Sequence, residues 1–209
     1  MSAALLSTRG LSLKFGGVVA ADAIDFDLMP GERLAVVGQN GAGKTTFINI
    51  CTGYLQADAG TVSLAGVDIT GQSPRAITRR GVGRSFQLPQ VFGEHTVREC
   101  LLIAASAVQR RGGFWAPLAQ AVDAAEVDAT LELLQLHERA HDLAASLPEG
   151  QRKLLDVAMA LVLRPKLMIM DEPTSGVSSD EKHGLKAVLM KALDERQVTS
   201  IFVEHDIDI

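Results

Sequence analysis

Hydrophobic and polar residues alternate along the chain with two different periods, and the shorter one predicts β-strands. Short apolar or alternating runs stand between turn-forming residues. They cover residues 11–15, 23–28, 33–38, 61–66, 166–170 and 198–205. Pro30 and Gly31, a pair suited to a tight turn, separate the second run from the third.

The longer period is that of a helix, with apolar residues three and four positions apart. One helix is predicted to begin at Lys44, and another at Thr96, where Thr96 and Glu99 have the spacing of a capping box. Further helices are predicted over residues 119–136, 146–161 and 179–193, and a loop over 110–120. Strands and helices therefore alternate at both ends of the chain, while its middle is mainly helical. This order favours an α/β fold with a helical insertion.

Composition narrows the class of protein. The 209 residues are 47% hydrophobic and 22% charged, which suits one domain or two closely packed lobes. The net charge of −5 disfavours a nucleic-acid-binding protein, so we expect no nucleic acid among its partners. Cys51 and Cys100 form no C-x-x-C motif, which favours a reducing, cytosolic compartment. No run reaches the roughly 18 apolar residues of a membrane span, so a role at a membrane would be performed from outside the bilayer.

The stretch GQNGAGKTT (residues 38–46) carries the strongest chemical signal. It fits the phosphate-binding pattern G-x-x-x-x-G-K-[ST] and lies between a predicted strand and a predicted helix, as that motif requires. Backbone N–H groups can surround phosphates, Lys44 can reach the β- and γ-phosphates, and Thr45 can offer a hydroxyl to Mg²⁺. A glycine-rich turn that matches by chance is the alternative, which the Lys-Thr pair in this context disfavours. The candidate nucleotide-binding residues are Gly38, Asn40, Gly41, Ala42, Gly43, Lys44, Thr45 and Thr46.

A second signal is LMIMDEP (residues 167–173), in which a buried strand ends in two acids. Asp171 would lie at the carboxyl edge of the sheet, where open α/β folds bind ligands, and it can hold Mg²⁺ through water. Glu172 can polarise an attacking water. This stretch alone could be a solvated loop start, but together with the phosphate loop it predicts a nucleotide hydrolysis site. The sequence lacks the N-K-x-D motif of a GTPase, and a small-molecule kinase would not need the second acid.

Three further stretches complete a family pattern. Gln87 lies in GRSFQLPQVF, His205 lies in IFVEHD, and LPEGQ (residues 147–151) precedes the Asp171 strand. With the two motifs above, they make the chain resemble the ABC ATPase family over essentially its whole length. The resemblance implies ATP and Mg²⁺ as cofactors. It also implies catalytic roles for Glu172, for His205 as the switch histidine and for Gln87 as the Q-loop glutamine.

The same resemblance implies further site residues and a fold. Thr45, Gln87 and Asp171 would be the metal ligands, and Phe15 would stack on adenine. The fold would be a P-loop NTPase (RecA-like) core with N-terminal antiparallel strands and an inserted helical subdomain. We expect the nucleotide-binding α/β core at residues 1–94 and 160–209, and the helical subdomain, which carries the signature, at residues 95–159. The family continues beyond the switch histidine, whereas this sequence ends at Ile209, so a truncated C-terminal end is expected.

LPEGQ stands at the place of the family's L-S-G-G-Q signature. In that family the signature helix of one subunit points at the γ-phosphate held by a second, so the resemblance assigns Gly150 and Gln151 to nucleotide binding across a homo- or heterodimer. Pro148 replaces the signature serine, Glu149 adds a carboxylate, and Ser178 stands where the family usually carries an acid or an amide. A degenerate scaffold that binds ATP with weak hydrolysis is therefore an alternative.

A narrower resemblance comes from FGGVVAADAIDFDLMPGE, from the stretch around Gln87 and from LPEGQRKLLDVAMAL. These look like the ATP-binding subunits of bacterial importers for branched-chain or other hydrophobic amino acids. The resemblance implies a transmembrane permease that docks at QLPQVFGEH, a periplasmic solute-binding protein as an indirect partner, and a cytoplasmic position on the inner face of the cell membrane. A soluble ABC ATPase is the other alternative, although such proteins usually carry two ATPase halves or a coiled-coil insertion.

Overall fold

The computed structural model describes residues 3–39, 41–108 and 122–204. Within these ranges the strands are β1 (Leu6–Phe15), β2 (Val18–Leu28), β3 (Arg33–Val37), β4 (Ala59–Leu64), β5 (Val67–Asp68), β6 (Val82–Ser85), β7 (Leu167–Asp171) and β8 (Thr199–Glu204). The α-helices are α1 (Lys44–Cys51), α2 (Pro74–Arg79), α3 (Val97–Ser106), α4 (Ala124–Leu133), α5 (Glu149–Leu161) and α6 (Ser179–Glu195). Short 3₁₀ turns cover His137–Arg139 and Ala144–Ser146.

The strands form two sheets of different kinds. One is antiparallel with the order β2-β1-β4-β5, and the other is parallel with the order β3-β8-β7-β6. The predicted tight turn at Pro30 and Gly31 is confirmed, since Glu32 N donates to Met29 O at 3.2 Å and Gly31 has the positive φ of a type II turn. This turn leads from the first sheet into the second.

Two apolar clusters cover opposite faces of the parallel sheet. Along β7, Leu167 and Ile169 pack with α1 and the antiparallel sheet, whereas Met168 and Met170 pack with helices α3 to α6. This alternation follows from the strand period of two, and it makes β7 buried at every residue. The α/β architecture expected from the sequence is confirmed. The domain division at residues 95–159 stays a prediction.

Several element boundaries differ from those predicted. Strand β1 begins five residues earlier than expected and passes through Gly10 as a bulge, because the pairing register with β2 shifts between Thr8 and Leu11. A polar stretch with a glycine does not look like a strand in the sequence. Helix α2 and strand β6 were not predicted, since each is short and β6 carries only one apolar residue in VGRS.

The helix predicted over 119–136 corresponds to α4, and its first predicted residues lie partly outside the described ranges. One of the acidic residues of this helix is not exposed to solvent. Glu126 is buried and pairs with Arg164 and with Arg196, whose Nη1 lies 2.7 Å from Glu126 Oε1. This group ties α4 to the ends of α5 and α6.

Candidate functional site

The carboxyl ends of the four parallel strands lie at one edge of their sheet, and the predicted site residues follow these ends. The phosphate loop follows β3, Gln87 comes two residues after β6, and Glu172 comes directly after β7. The switch candidate His205 would follow β8, but it lies outside the described residues, as does Asn40. Parallel pairing therefore brings together side chains that are far apart in the sequence.

The phosphate loop needs a glycine at one position for a steric reason. Gly43 precedes α1 with a φ of 84°, and a Cβ added to it would lie 2.2 Å from the backbone oxygen of Ala20. Its carbonyl accepts from Phe47 N at 2.8 Å, so the loop leads directly into the helix. The N–H groups of the first helical turn thereby face the loop, which suits an anion.

Lys44 is the first residue of α1 and is buried. Its Nζ donates to Gly38 O, and to Gln39 O at 3.1 Å. The ammonium thus lies against the concave side of the loop, where it can attract the phosphates of a nucleotide.

A cavity of about 480 Å³ opens above this loop. Its volume is in the range of small-molecule sites. It brings together most of the predicted nucleotide-binding residues with Gln87 and Glu172. The lining residues are Phe15, Val18, Ala20, Gly41, Ala42, Gly43, Lys44, Thr45, Thr46, Gln87 and Glu172. Phe15 is half exposed at the end of β1, as a ring that stacks on a base would need to be.

Gln87 and Glu172 contact each other in this cavity. Gln87 Nε2 donates to Glu172 Oε2 at 2.9 Å. Glu172 is largely buried, its backbone N donates to Val203 O at 2.9 Å, and its φ is 48°. A left-handed conformation costs about 1–2 kcal/mol for a residue other than glycine. The backbone therefore turns sharply after β7 and directs this carboxylate into the cavity.

Asp171 lies directly before Glu172 and is buried beside a guanidinium. Arg84 Nη2 is 3.7 Å from Asp171 Oδ2, and Arg84 Nη1 donates to Thr52 Oγ1 at 2.9 Å. The guanidinium carbon lies 5.1 Å from the ring centroid of Tyr54 and 4.8 Å from that of Phe86, two rings that contact each other edge to face. Burial lowers the pKa of Arg84, and the negative charge of Asp171 opposes that shift.

The predicted metal ligands Thr45, Gln87 and Asp171 supply a hydroxyl, an amide and a carboxylate. Oxygen donors with few charges fit Mg²⁺, which keeps several waters and binds through substrate phosphates. In the described ranges, no group of three or more His, Cys, Asp or Glu side chains has the arrangement of a metal site. Thr45 and Gln87 line the cavity, whereas Asp171 is not among its lining residues and lies beside Arg84. These donors therefore fit a cation that arrives with a nucleotide better than one held by the protein alone.

The LPEGQ stretch lies at the N-terminus of α5, with Pro148 as the N-cap residue. Glu149 Oε2 pairs with Arg152 Nη2 at 2.7 Å. Gly150 and Gln151 are not among the residues of this chain that line the cavity. A Cβ on Gly150 would make ordinary contacts at 3.7 Å with Leu185 and Val177, so packing in the described part of the chain does not demand a glycine there.

Two charged residues that the sequence analysis did not single out contact the site from α5. Lys153 Nζ donates to Gln87 O at 2.9 Å, to Ser175 Oγ at 3.2 Å and to Glu172 O at 3.4 Å. Asp156 accepts from the backbone N of Phe86 at 2.8 Å and of Gln90 at 2.9 Å. The signal in the sequence is a lysine and an aspartate three residues apart on the otherwise apolar face of a helix.

The charges of these two residues are buried. Burial lowers the pKa of Lys153, and the nearby carboxylates of Glu149, Asp156, Glu172 and Glu204 oppose the shift. Burial also raises the pKa of Asp156, against the two backbone N–H donors and Lys153. Ser178, the other departure from the family pattern, is the N-cap residue of α6 without a side-chain capping bond, and its Oγ donates to Glu181 Oε2 at 2.8 Å.

None of the helices in the described ranges is both long and apolar enough to cross a membrane. Apolar side chains are nevertheless exposed beside Gln87. Leu88 is 74% exposed, Tyr54 53% and Phe92 42%. Leu88 and Phe92 belong to the stretch QLPQVFGEH, so part of this predicted interface is an exposed apolar surface.

Comparisons with known proteins agree with this geometry. A family model described as ABC transporter matches residues 21–175. The high-affinity branched-chain amino acid transport ATP-binding protein BraF of Pseudomonas aeruginosa is 33% identical over 220 residues, which cover all of this chain and 85% of that protein. A probable branched-chain amino acid transport ATP-binding protein LivG of Archaeoglobus fulgidus is 37% identical over 210 residues, 98% of this chain and 81% of that protein.

Solved structures give the same result for the fold. The ATP-binding cassette MJ1267 of an ABC transporter superposes with a TM-score of 0.81 at 31% identity, covering all of this chain and 84% of that chain. The structure of cbiO1 from Clostridium perfringens, part of the ABC transporter complex cbiONQ, has a TM-score of 0.84 at 27% identity and covers 100% of this chain and 81% of that chain.

Proposed function

The chain belongs to the ABC transporter family of ATP-binding proteins, and from this premise we propose that it powers uptake of branched-chain or other hydrophobic amino acids through a separate permease. Its activity is that of an importer ATPase. The observation that carries the catalytic assignment is the hydrogen bond of 2.9 Å between Gln87 and Glu172 in the cavity above the phosphate loop. The solute assignment is supported by the relatives, whose names specify transport of branched-chain amino acids.

In the proposed mechanism, the residues of this chain hold the triphosphate and position a water. The phosphate loop and Lys44 bind the β- and γ-phosphates, while Phe15 stacks on the adenine. Glu172 accepts a hydrogen bond from the water that attacks the γ-phosphorus in line, and Gln87 and His205 help to orient it. Thr45, Gln87 and Asp171 would hold Mg²⁺, which would supply positive charge to offset that of the phosphates.

A second subunit completes the site in this proposal. Gly150 and Gln151 would face the γ-phosphate bound by the partner, whether that partner is identical or different. One observation supports this role: packing in the described part of the chain does not demand a glycine at position 150. ATP binding would then favour a closed dimer over an open one.

We place the permease contact at the exposed apolar residues Tyr54, Leu88 and Phe92. Leu88 and Phe92 share the segment QLPQVFGEH with Gln87, and Tyr54 contacts the preceding residue, Phe86. A movement of the permease against this surface would therefore displace Gln87, which helps to position the water. This arrangement requires the chain to lie on the inner face of the bacterial cell membrane. The periplasmic solute-binding protein would act only through the permease.

A second candidate function is an ATP-binding scaffold with weak hydrolysis. It is favoured by the N-terminus of α5, where Pro148 offers neither a hydroxyl nor an N–H, and where Glu149 adds a negative charge. The pairing of Glu149 with Arg152 at 2.7 Å reduces the repulsion that a triphosphate would meet. We therefore favour hydrolysis over the scaffold.

The test is to replace the chain in its source cells by its Glu172→Gln form and to measure uptake of labelled leucine and lysine. The proposal expects leucine uptake to be lost and lysine uptake to be unchanged, with the purified variant binding ATP normally but losing about 10²-fold or more in turnover. Normal leucine uptake in the Glu172→Gln cells would refute the assignment of this chain as the ATPase of the importer. A wild-type chain that binds ATP without turnover while leucine uptake is normal would favour the scaffold.

A further inference from the structure

The ammonium of Lys153 joins the two residues that meet in the cavity. It donates to the backbone oxygen of Gln87 at 2.9 Å and to that of Glu172 at 3.4 Å. The side chains of these same two residues are joined by the bond from Gln87 Nε2 to Glu172 Oε2. These three contacts form a closed ring in which Lys153 binds the main chain of both residues that the side-chain bond joins.

Asp156 holds the same loop from the next turn of α5. Its two carboxylate oxygens accept from Phe86 N and Gln90 N, on either side of Gln87. Residues three apart lie on one face of a helix, so Lys153 and Asp156 contact the loop together. Three backbone groups between residues 86 and 90 are thereby fixed to one rigid helix.

Packing alone does not account for these two charges. The same helix buries Leu154, Leu155 and Val157 in an apolar cluster that also contains Met168 and Met170 of the sheet. Burying an ammonium or a carboxylate is costly unless each finds good partners. The partners found here are the backbone of the Gln87 loop, the backbone of Glu172 and the hydroxyl of Ser175.

We propose that Lys153, assisted by Asp156, is a positioning residue for ATP hydrolysis: it sets the backbone of Gln87 and of Glu172 so that their side chains meet where the attacking water binds. The inference rests on the proposed catalytic roles of Gln87 and Glu172. Because α5 begins at LPEGQ, the same contacts connect the signature of this subunit to its own hydrolytic residues.

The experiment compares steady-state ATP hydrolysis by the full chain with that of Lys153→Met, Lys153→Arg and Asp156→Asn. Methionine keeps the length and removes the donors, while arginine keeps the charge. Lys153→Met should lower kcat about tenfold to hundredfold, as a small misplacement of catalytic groups does, and leave KM for ATP within about twofold. Lys153→Arg should recover at least part of the lost kcat. Lys191→Met, the same change on an exposed part of α6, is the matched control and should have wild-type rates.

An unchanged kcat in Lys153→Met would overturn the inference, as would equal losses in kcat and in ATP affinity, because these would indicate a structural role. Should that variant not fold, Asp156→Asn decides, with a kcat about tenfold lower at unchanged KM supporting positioning and a normal kcat contradicting it. Wild type and Glu172→Gln are measured in parallel. A wild-type chain without turnover would overturn the proposed function and the inference together, whereas normal wild-type turnover with a fully active Lys153→Met would overturn the inference alone.

Discussion

Two backbone positions with left-handed conformations shape the site at the scale of single residues. Gly43 turns the phosphate loop into α1 against the backbone of Ala20, and Glu172 turns the chain out of β7. The first position excludes a side chain, whereas the second carries the carboxylate that the cavity needs. Lys153 then holds the backbone of Glu172 from the opposite side.

Replacing Gly43 by alanine tests this steric account. Gly41→Ala is the matched control, because Gly41 has the same φ of 84° but no atom of the described residues within 4 Å of an added Cβ. Both variants carry the left-handed strain of about 1 kcal/mol, and Gly43→Ala adds a backbone clash of about 1–3 kcal/mol. Urea denaturation should therefore find Gly43→Ala less stable than Gly41→Ala, with weaker ATP binding. Equal stabilities would contradict the account.

Some site residues could be predicted from the sequence, and others could not. Lys44 and Glu172 belong to motifs whose residue types and spacing indicate their roles, so they could be assigned to one site before the fold was known. The contact between Gln87 and Glu172 needed the family resemblance, because 85 residues separate them. Lys153 and Asp156 were missed because their partners are backbone atoms, which leave no trace in the side-chain pattern.

At the scale of elements, the parallel sheet brings the site residues together at one edge. The start of α3 anchors the end of the segment that we assign to the permease contact. Thr96 accepts from Glu99 N at 3.2 Å, and Glu99 Oε2 accepts from Thr96 N at 2.8 Å. The predicted capping box is thus confirmed. The long elements could be predicted because their apolar residues recur with a clear period. Helix α2 and strand β6 are too short to show one.

Thr96→Ala should lower the free energy of unfolding by about 1 kcal/mol, since it removes one bond of a reciprocal pair. Ser73→Ala, at the N-cap of α2, is the comparison, because the Ser73 hydroxyl accepts from Ala76 N at a longer distance of 3.4 Å without a reciprocal bond. Thermal or chemical denaturation should place Thr96→Ala below Ser73→Ala in stability. The reverse order would refute the importance of the box.

At the scale of the whole molecule, the two faces of the parallel sheet carry separate apolar clusters, and the buried Glu126 with Arg164 and Arg196 ties the helices together. The α/β architecture followed from the alternation of strands and helices. The separate antiparallel sheet at the N-terminus was expected only from the family resemblance, because a turn such as Pro30-Gly31 does not show whether the strands that it joins pair with each other. Among the described residues, those at the N-terminus of α5 do not line the cavity, which agrees with the proposal, drawn from the family resemblance, that they face a nucleotide held by a second subunit.

The most direct measurement is the mass of the Glu172→Gln chain by light scattering, with and without Mg²⁺ and ATP. Because this form should bind ATP and not hydrolyse it, ATP should double its mass by trapping a closed dimer. Adding Gly150→Ala, which the packing of its own chain tolerates, should weaken that dimer without lowering thermal stability. A chain that binds ATP and keeps the mass of a monomer would contradict the composite site.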